Sequence, residues 1–263
     1  PLSSQELLDP LRGALAEMLG ELAPGDLQDC FFINNGTDAV EGAIKFARLY
    51  TGKPGIISTL NAFHGKSMGS LSLMGKAAYR VPFEPLLDNV HFVPFGDAQA
   101  LEEELEKMKK LGEPIGAFIV EPIQGEAGII VPPDGYLKDV RRICSERNIL
   151  MIADEIQVGN GRSGDFFSFE RAGIEPDIIT LSKSIGAGHP MALVLMKPEL
   201  DKWSPGEHSG TFRGNNLAFV AQTAALNKYW SDDKFITTVK AKSELVKKHM
   251  ENIALKFPTL IRE

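Results

Sequence analysis

Lys183 and Asp154 are the residues of this sequence whose surroundings most favour covalent chemistry. Lys183 is flanked by small residues in the segment Thr180-Leu-Ser-Lys-Ser-Ile-Gly-Ala-Gly188, which leaves room for a bulky adduct on its amine. Asp154 ends the apolar run 149–153, where a carboxylate costs free energy unless a cation pairs with it. An amine that forms an imine and an acid that holds a cationic ring nitrogen are two requirements of an aldehyde-bearing pyridine cofactor.

Two further segments supply the other groups that such a cofactor needs, which are hydrogen-bond donors for its phosphate and a flat side chain that lies against its ring. Gly36 and Thr37 open a predicted helix, and the free amides and positive dipole of a helix N-terminus bind phosphate. Phe63 and His64 are candidates to lie against the ring. Together these features predict a site for pyridoxal phosphate, with Lys183 forming the Schiff base.

Each of these residues also has an ordinary structural explanation. Lys183 could be a solvated lysine just past a strand, and Asp154 could cap a helix or occupy a turn. The pair Gly36-Thr37 could be a plain helix cap, and Phe63-His64 could be core packing beside a satisfied histidine. The prediction therefore depends on their joint occurrence.

Short apolar runs alternate with amphipathic helices, which predicts an α/β fold with a mostly parallel sheet flanked by helices. In such sheets ligands bind beyond the carboxyl ends of the strands, and the segments beginning at Asn34, Glu121, Asp154 and Ser182 follow predicted strand ends. The predicted strands are 30–33, 55–58, 115–120, 149–153, 177–181 and 192–196, and the predicted helices are 4–22, 39–50, 100–110, 137–147 and about 232–256.

Composition argues against several other classes of protein. The 263 residues carry 28 basic and 35 acidic side chains without a basic block, so nucleic-acid binding is not expected. No apolar run approaches the roughly 20 residues that cross a bilayer, and no secretory signal is visible, which predicts a soluble, cytoplasmic protein. Cys30 and Cys144 are expected to be free thiols, with no metal site. The absence of an initiator methionine at Pro1 suggests a fragment or a processed chain.

The segment Gly159-Asn-Gly-Arg-Ser-Gly164 matches GxGxxG, the pattern of dinucleotide-binding loops. Such a loop should follow a strand directly and open a helix. Here the segment 154–158 intervenes and the segment 165–169 has no helical stripe, so a dinucleotide site is not expected.

Six segments form an ordered set of motifs: Asn35-Gly-Thr-Asp-Ala-Val-Glu-Gly-Ala-Ile-Lys-Phe-Ala-Arg48, Ala62-Phe-His-Gly65, Glu121-Pro-Ile-Gln-Gly-Glu-Ala-Gly128, Asp154-Glu-Ile-Gln-Val-Gly159, Gly161-Arg-Ser-Gly164 and Leu181-Ser-Lys183. They resemble the signature motifs of the class III (ornithine/ω-amino) aminotransferases. The separation of Lys183 from Asp154, 183 − 154 = 29, also matches that family. The resemblance covers about residues 4–263 and implies the large domain of the pyridoxal-phosphate-dependent transferase fold type I.

The resemblance implies a role for each matching residue. Gly36 and Thr37 would donate hydrogen bonds to the phosphate, and Phe63 would stack on the pyridine ring. Gln157 would bond the phenolic oxygen of the cofactor. The freed amine of Lys183 would carry the proton in ping-pong transamination.

The resemblance also implies how the chain is organised. Thr211 would reach the phosphate of a neighbouring subunit, which implies a homodimer, and Glu126 would lie on the substrate side of the ring. Residues 1–230 would form the cofactor-binding large domain, and residues 231–263 would begin a truncated C-terminal small domain.

Four segments bear on the substrate. The segments 61–65 and 206–219 look like those of diaminobutyrate–2-oxoglutarate aminotransferases, whereas 8–12 and 82–86 look more like those of putrescine or ornithine enzymes. We therefore predict a diamino or ω-amino donor, diaminobutyrate-like, with 2-oxoglutarate as acceptor. The alternatives are an aminomutase or racemase on the same fold, or a non-catalytic cofactor domain.

The sequence also departs from the family pattern. The segment 183–190 is one residue shorter than in the nearest relatives, and family members are much longer at both ends. These departures predict a chain that has the cofactor domain but is weakly active or inactive.

Overall fold

The chain builds one seven-stranded sheet, which we describe from a computed structural model covering residue 5 and residues 7–261. The strands are β1 (Asp29–Ile33), β2 (Gly55–Thr59), β3 (Val90–Val93), β4 (Ile115–Val120), β5 (Leu150–Asp154), β6 (Ile178–Leu181) and β7 (Ala192–Met196), in the order β1-β7-β6-β5-β4-β2-β3. The α-helices of the described residues are α1 (Pro10–Leu22), α2 (Gly36–Thr51), α3 (Met68–Ser72), α4 (Ala77–Arg80), α5 (Ala98–Leu111), α6 (Tyr136–Arg147), α7 (Asn216–Tyr229) and α8 (Lys234–Lys256).

The sheet is mostly parallel, as predicted from the sequence. Strands β3, β2, β4, β5 and β6 run parallel, whereas β7 is antiparallel to both β6 and β1. Because β7 reverses direction between them, β1 and β6 point the same way. The carboxyl ends of β1, β4, β5 and β6 therefore meet at one edge of the sheet.

The central strands are apolar runs without alternation because helices cover both faces of the sheet. Every residue of β4, β5, β6 and β7 is buried. The α/β fold with helices flanking a mostly parallel sheet is thus confirmed.

Helix α2 packs its apolar face on the sheet and has clear signals at both ends. Asn35 caps it, because its Oδ1 accepts the N–H of Asp38 at 3.0 Å. The helix ends at Gly52, whose φ of 64° places it in the left-handed region that favours glycine. Ala43 and Ala47 are among the buried residues of its apolar face. The start and the end of the helix both follow from local sequence signals, the Asn35 cap and Gly52.

Helix α1 is shorter than the predicted helix 4–22. It begins at Pro10, which suits the first turn of a helix, and the Oδ1 of Asp9 accepts the N–H of Leu11 at 2.9 Å. Residues 4 and 6 lie outside the described part of the chain. Strand β3 and helices α3, α4 and α7 were not predicted; α3 and α4 are too short to show a helical period.

The chain divides into two compact units, Pro1–Thr223 and Ala224–Glu263. The sheet belongs to the first unit, and the second contains α8, in which no residue is buried. The predicted boundary near residue 230 stays a prediction. None of the described helices has the length and apolar character needed to span a membrane.

Asp177, just before β6, joins three elements of the first unit through a buried carboxylate. Its Oδ2 accepts hydrogen bonds from Arg141 of α6 at 2.6 Å and from the N–H of Met151 in β5 at 2.8 Å. Its Oδ1 accepts one from Lys197, just after β7, at 2.8 Å. Removing this carboxylate would leave these donors without their partner in a poorly hydrated place.

We expect Asp177→Ala to lower the free energy of unfolding by about 3 kcal/mol, because it breaks a buried, hydrogen-bonded ion pair. Urea denaturation followed by circular dichroism measures the change. Glu146→Ala is the control, since Glu146 pairs with Arg142 on the exposed face of α6 and should leave the midpoint unchanged. Equal midpoints for the two variants would contradict the structural role given to Asp177.

Candidate active site

A cavity of about 310 Å³ opens at the edge where the carboxyl ends of β1, β4, β5 and β6 meet. Seven of the nine residues predicted to form the site line it: Gly36, Thr37, Phe63, His64, Asp154, Gln157 and Lys183. The remaining lining residues are Asn35, Gly65, Lys66, Glu121, Ile156 and Ser182. Segments far apart in sequence thus converge where the topology places the ligand of an α/β sheet.

Asp154 is the last residue of β5, and its buried carboxylate is surrounded by hydrogen-bond donors. Its Oδ2 lies 2.7 Å from the Nδ1 of His64. Its Oδ1 accepts bonds from the N–H of Ile156 and the hydroxyl of Thr180, both at 3.1 Å. Thr180 faces Asp154 across the β5–β6 ladder. Such donors stabilise a negative charge that burial alone would penalise.

Lys183 lies two residues beyond the end of β6, in a short turn with a left-handed backbone. Its φ is 53°, a conformation that residues other than glycine adopt at some cost. Its Nζ donates to the Oε1 of Gln157 at 2.7 Å. The side chain is exposed, so the amine is accessible to a ligand.

The N-terminus of α2 forms another wall of the cavity. A Cβ at Gly36 would lie 3.1 Å from the side chain of Ile156, so a larger residue here would require Ile156 to shift. The Oγ1 of Thr37 accepts the N–H groups of Lys66 and Ser67, each at 3.0 Å. Because this hydroxyl already bonds Lys66 and Ser67, the contribution of Thr37 to binding an anion would come from its backbone N–H.

Phe63 is held by a buried acid to which the sequence analysis gave no role. The Oε1 of Glu121 accepts the N–H of Phe63 at 2.8 Å, and its Oε2 accepts that of Gly125 at 3.1 Å. Burial raises the pKa of Glu121 above its ordinary value. The ammonium of Lys66 lies 5.4 Å from the centre of the Phe63 ring.

Two predicted residues do not line this cavity. Glu126 is exposed in the turn after Gly125, and Thr211 is exposed in the loop before α7. Their predicted roles, on the substrate and on a neighbouring subunit, stay predictions.

The family model for class III aminotransferases matches residues 5–263 of the chain. The chain belongs to the class III aminotransferases. It is 47% identical over 254 residues to a diaminobutyrate–2-oxoglutarate transaminase from Wolinella succinogenes, a match that covers 94% of this chain and 59% of the relative. The chain therefore spans about three fifths of the length of that curated relative.

Solved structures of transaminases share the fold. A taurine:2-oxoglutarate aminotransferase from Bifidobacterium kashiwanohense, solved with pyridoxal phosphate and glutamate, superposes with a TM-score of 0.88 at 28% identity, over 97% of this chain and 62% of its own. An (S)-enantioselective ω-transaminase from Thermomicrobium roseum gives a TM-score of 0.85 at 30% identity, over 95% of this chain and 63% of its own. The predicted transferase fold is confirmed.

Pyridoxal phosphate is the cofactor of the class III aminotransferases, and the residues of the cavity fit it. Lys183 supplies an accessible amine, and Asp154 supplies a buried carboxylate with fixed orientation. The N-terminus of α2 at Gly36 supplies amide donors beside them. These groups match the aldehyde, the ring nitrogen and the phosphate of the cofactor.

Glu121 and Thr180 are the main site residues to which sequence reasoning gave no role. Glu121 begins the Glu121–Gly128 motif directly after β4, so its position in the sequence could have indicated that it belongs to the site. Thr180 gave no such signal, because its contact with Asp154 depends on the β5–β6 register.

Glu155 is a second buried acid, adjacent to Asp154 but in a different environment. Its Oε1 accepts the hydroxyl of Ser168 at 2.7 Å and the N–H of Phe169 at 3.0 Å. Its Oε2 is buried and finds no hydrogen-bond partner within the described residues. Burial raises the pKa of Glu155 to about 7.

We expect Glu155 to make the class III chain less stable as the pH rises. The folded state keeps the proton up to about pH 7, whereas the unfolded chain releases it near 4.5, so the free energy of unfolding falls across that window. The fall should total about 3 kcal/mol, at about 1.4 kcal/mol per pH unit. Urea denaturation at several pH values measures it against Glu155→Gln, which cannot ionise.

The difference in stability between the native protein and the Glu155→Gln variant reports the contribution of Glu155 without that of His208. Burial lowers the pKa of His208 to about 4, so His208 makes the fold more stable as the pH rises towards 6.5 and opposes the Glu155 effect. Subtracting the variant from the native protein removes that common contribution. Parallel stability curves for the two proteins would show that Glu155 is charged in the folded state.

Proposed function

We propose that this chain binds pyridoxal phosphate in the 310 Å³ cavity and belongs to an enzyme that transfers an amino group. The observation that carries the proposal is the convergence of Lys183, Gln157 and Asp154 on that cavity, with the amine of Lys183 2.7 Å from the amide oxygen of Gln157. The amine of Lys183, the carboxylate of Asp154 and the N-terminus of α2 follow the ends of three different strands. Packing of the core alone does not require these three groups to meet.

Each group of the cofactor has a matching residue in the cavity. The N-terminus of α2, at Gly36 and Thr37, would hold the phosphate, and Asp154 would hold the ring nitrogen. Phe63 would cover the ring, and Gln157 would bond the phenolic oxygen. Bound pyridoxal phosphate supplies an electron sink for the charge left when a substrate carbon loses its proton.

Lys183 has two tasks in this proposal. Its Nζ would hold the cofactor aldehyde when pyridoxal phosphate is bound, and once free it would accept the proton from Cα of the donor as a general base. Gln157 orients that Nζ through the bond at 2.7 Å. Lys183 lines the cavity, and its backbone is left-handed with φ at 53°.

We further propose a diamino or ω-amino donor, with diaminobutyrate favoured, and 2-oxoglutarate as acceptor. The relative from Wolinella succinogenes, at 47% identity, is a diaminobutyrate–2-oxoglutarate transaminase. The Bifidobacterium enzyme also uses 2-oxoglutarate by its name, and its structure contains glutamate. These names support the same acceptor for this chain.

The proposed enzyme is a cytoplasmic homodimer in which Thr211 reaches the cofactor phosphate of the neighbouring subunit and Glu126 lies beside the substrate. Residues 1–230 form its large domain, and residues 231–263 begin its small domain. The exposure of both side chains leaves them available for these contacts.

We expect Lys183→Ala to abolish covalent attachment of the cofactor. After incubation with pyridoxal phosphate and reduction with borohydride, peptide mass spectrometry of the native chain should find the label on Lys183. Lys110→Ala, at an exposed position of α5, is the control and should label as the native chain does. Label on another lysine of the native chain would contradict the assignment.

We expect 2,4-diaminobutyrate and 2-oxoglutarate to give glutamate, and Lys183→Ala to slow this reaction by about 10²–10⁴-fold, as for loss of a general base. Chromatographic detection of glutamate and of the remaining donor measures both. Consumption or inversion of the donor without glutamate would instead indicate an aminomutase or racemase. The same assay tests the prediction that this chain is weakly active or inactive, which a rate ordinary for the family would contradict.

A further inference from the structure

A cavity of about 580 Å³, which we call the side cavity, shares Lys183 and Gln157 with the 310 Å³ cavity of the proposed cofactor site. Its apolar wall consists of Ile123, Ile129 and Val158. Arg162 and Lys183 line it as well, and none of the described residues that line it is acidic. Glu126, the neighbour of the lining residue Gly125, does not line it. The side cavity therefore suits an anion that carries an aliphatic chain.

Arg162 belongs to the segment Gly159–Gly164, which matches the pattern of a dinucleotide-binding loop. Backbone carbonyls accept the N–H groups of Gly159, Gly161, Arg162 and Gly164 at distances between 2.9 and 3.4 Å. Those four N–H groups are therefore not free to bind a phosphate, which is how a dinucleotide loop works. The segment contributes the side chains of Arg162 and Ser163 to the side cavity instead.

The side chains of Arg162 and Ser163 have donors that the fold does not use. Arg162 is exposed, and its guanidinium has neither a hydrogen bond nor an ion pair with the described residues, unlike Arg141 and Arg147, which pair with acids. The Oγ of Ser163 is buried and has no hydrogen-bond partner in the described part of the chain. A guanidinium with free N–H groups matches the two oxygens of a carboxylate.

The cofactor cavity is a less suitable place for a second anion. Asp154 and Glu121 line it, so a carboxylate placed there would lie near the negative charge of Asp154. Besides Lys183, its lining lysine is Lys66, whose ammonium already lies 3.3 Å from the centre of the Tyr79 ring. Charge therefore favours the side cavity for a ligand with two carboxylates.

We propose that Arg162 is a specificity-determining residue, which binds the distal carboxylate of a dicarboxylic oxo acid whose keto group lies beside Lys183. The methylene carbons of the acid would lie against the apolar wall of the side cavity. Of the two proposed substrates, 2-oxoglutarate is a dianion, whereas diaminobutyrate carries two amino groups that are cationic at neutral pH. A cavity without acids therefore selects the acceptor. This inference rests on the proposed function, which supplies the reaction at Lys183.

The first test measures binding and needs no cofactor. Its probe is glutarate, which has both carboxylates but no keto group, and titration calorimetry of the full chain gives the dissociation constant. We expect Arg162→Gln to weaken binding about 10–100-fold, because charge-assisted hydrogen bonds to a carboxylate are lost. Arg162→Lys keeps the charge without the planar fork and should recover part of the loss. Arg142→Gln, on the exposed face of α6, is the control and should bind as the native chain does.

Four results of this test would each overturn the inference. The native chain could bind no glutarate, or Arg162→Gln could bind it as tightly as the native chain. Arg142→Gln could weaken binding as much as Arg162→Gln, which would indicate attraction by overall charge alone. Lys66→Gln could abolish binding while Arg162→Gln does not, which would place the dicarboxylate in the cofactor cavity.

The second test compares two acceptors in the transamination assay. Pyruvate is an oxo acid without a distal carboxylate, so its use should not depend on Arg162. We expect Arg162→Gln to lower the ratio of kcat/KM for 2-oxoglutarate to that for pyruvate about tenfold or more, with little change in KM for diaminobutyrate. An unchanged ratio would overturn the inference, because Arg162 would then not distinguish the acceptors.

These tests separate failure of this inference from failure of the proposed function. Borohydride labelling of Lys183 with pyridoxal phosphate tests the function. If labelling fails while glutarate binding depends on Arg162, the proposed function fails and the dicarboxylate site remains. If labelling succeeds while Arg162→Gln binds glutarate as tightly as the native chain, the inference about Arg162 alone is overturned.

Discussion

A buried carboxylate needs hydrogen-bond donors, and the arrangement of this site follows from supplying them to Asp154. Burial of an unpaired charge would cost more than the fold can tolerate, so β5 can end in an acid only where neighbouring segments bring N–H and O–H groups to it. The β5–β6 register supplies Thr180, the turn after β5 supplies the N–H of Ile156, and the 63–64 segment supplies His64. The cavity lies around this point.

Three acids near the cavity show how environment separates residues of one chemical type. Asp154 has a donor on each oxygen, whereas Glu155, the next residue, leaves one oxygen without a partner and has its pKa raised by burial to about 7. Glu121 lies between these cases, with a backbone N–H on each oxygen and a raised pKa. Their different surroundings suit Asp154 to hold a cation and the two glutamates to fasten loops.

The sheet topology explains why such distant segments share one cavity. Parallel strands place all their carboxyl ends on one edge, and the single reversal at β7 returns β1 and the N-terminus of α2 to the same edge. Gly36 and Thr37 of α2 therefore line the same cavity as Lys183, although the two segments are far apart in sequence. Class III membership then connects this geometry to a family of cofactor-dependent enzymes.

The sequence by itself determined the chemical types of the site and the order of the elements. Lys183 among small residues, Asp154 at the end of an apolar run and Gly36 opening a helix are local patterns, and local patterns are visible along a chain. Only the tertiary structure decided that His64 bonds Asp154 and that Glu121 holds Phe63, contacts that join residues 90 and 58 positions apart. Such contacts depend on strand register and loop path, which neither composition nor periodicity encodes.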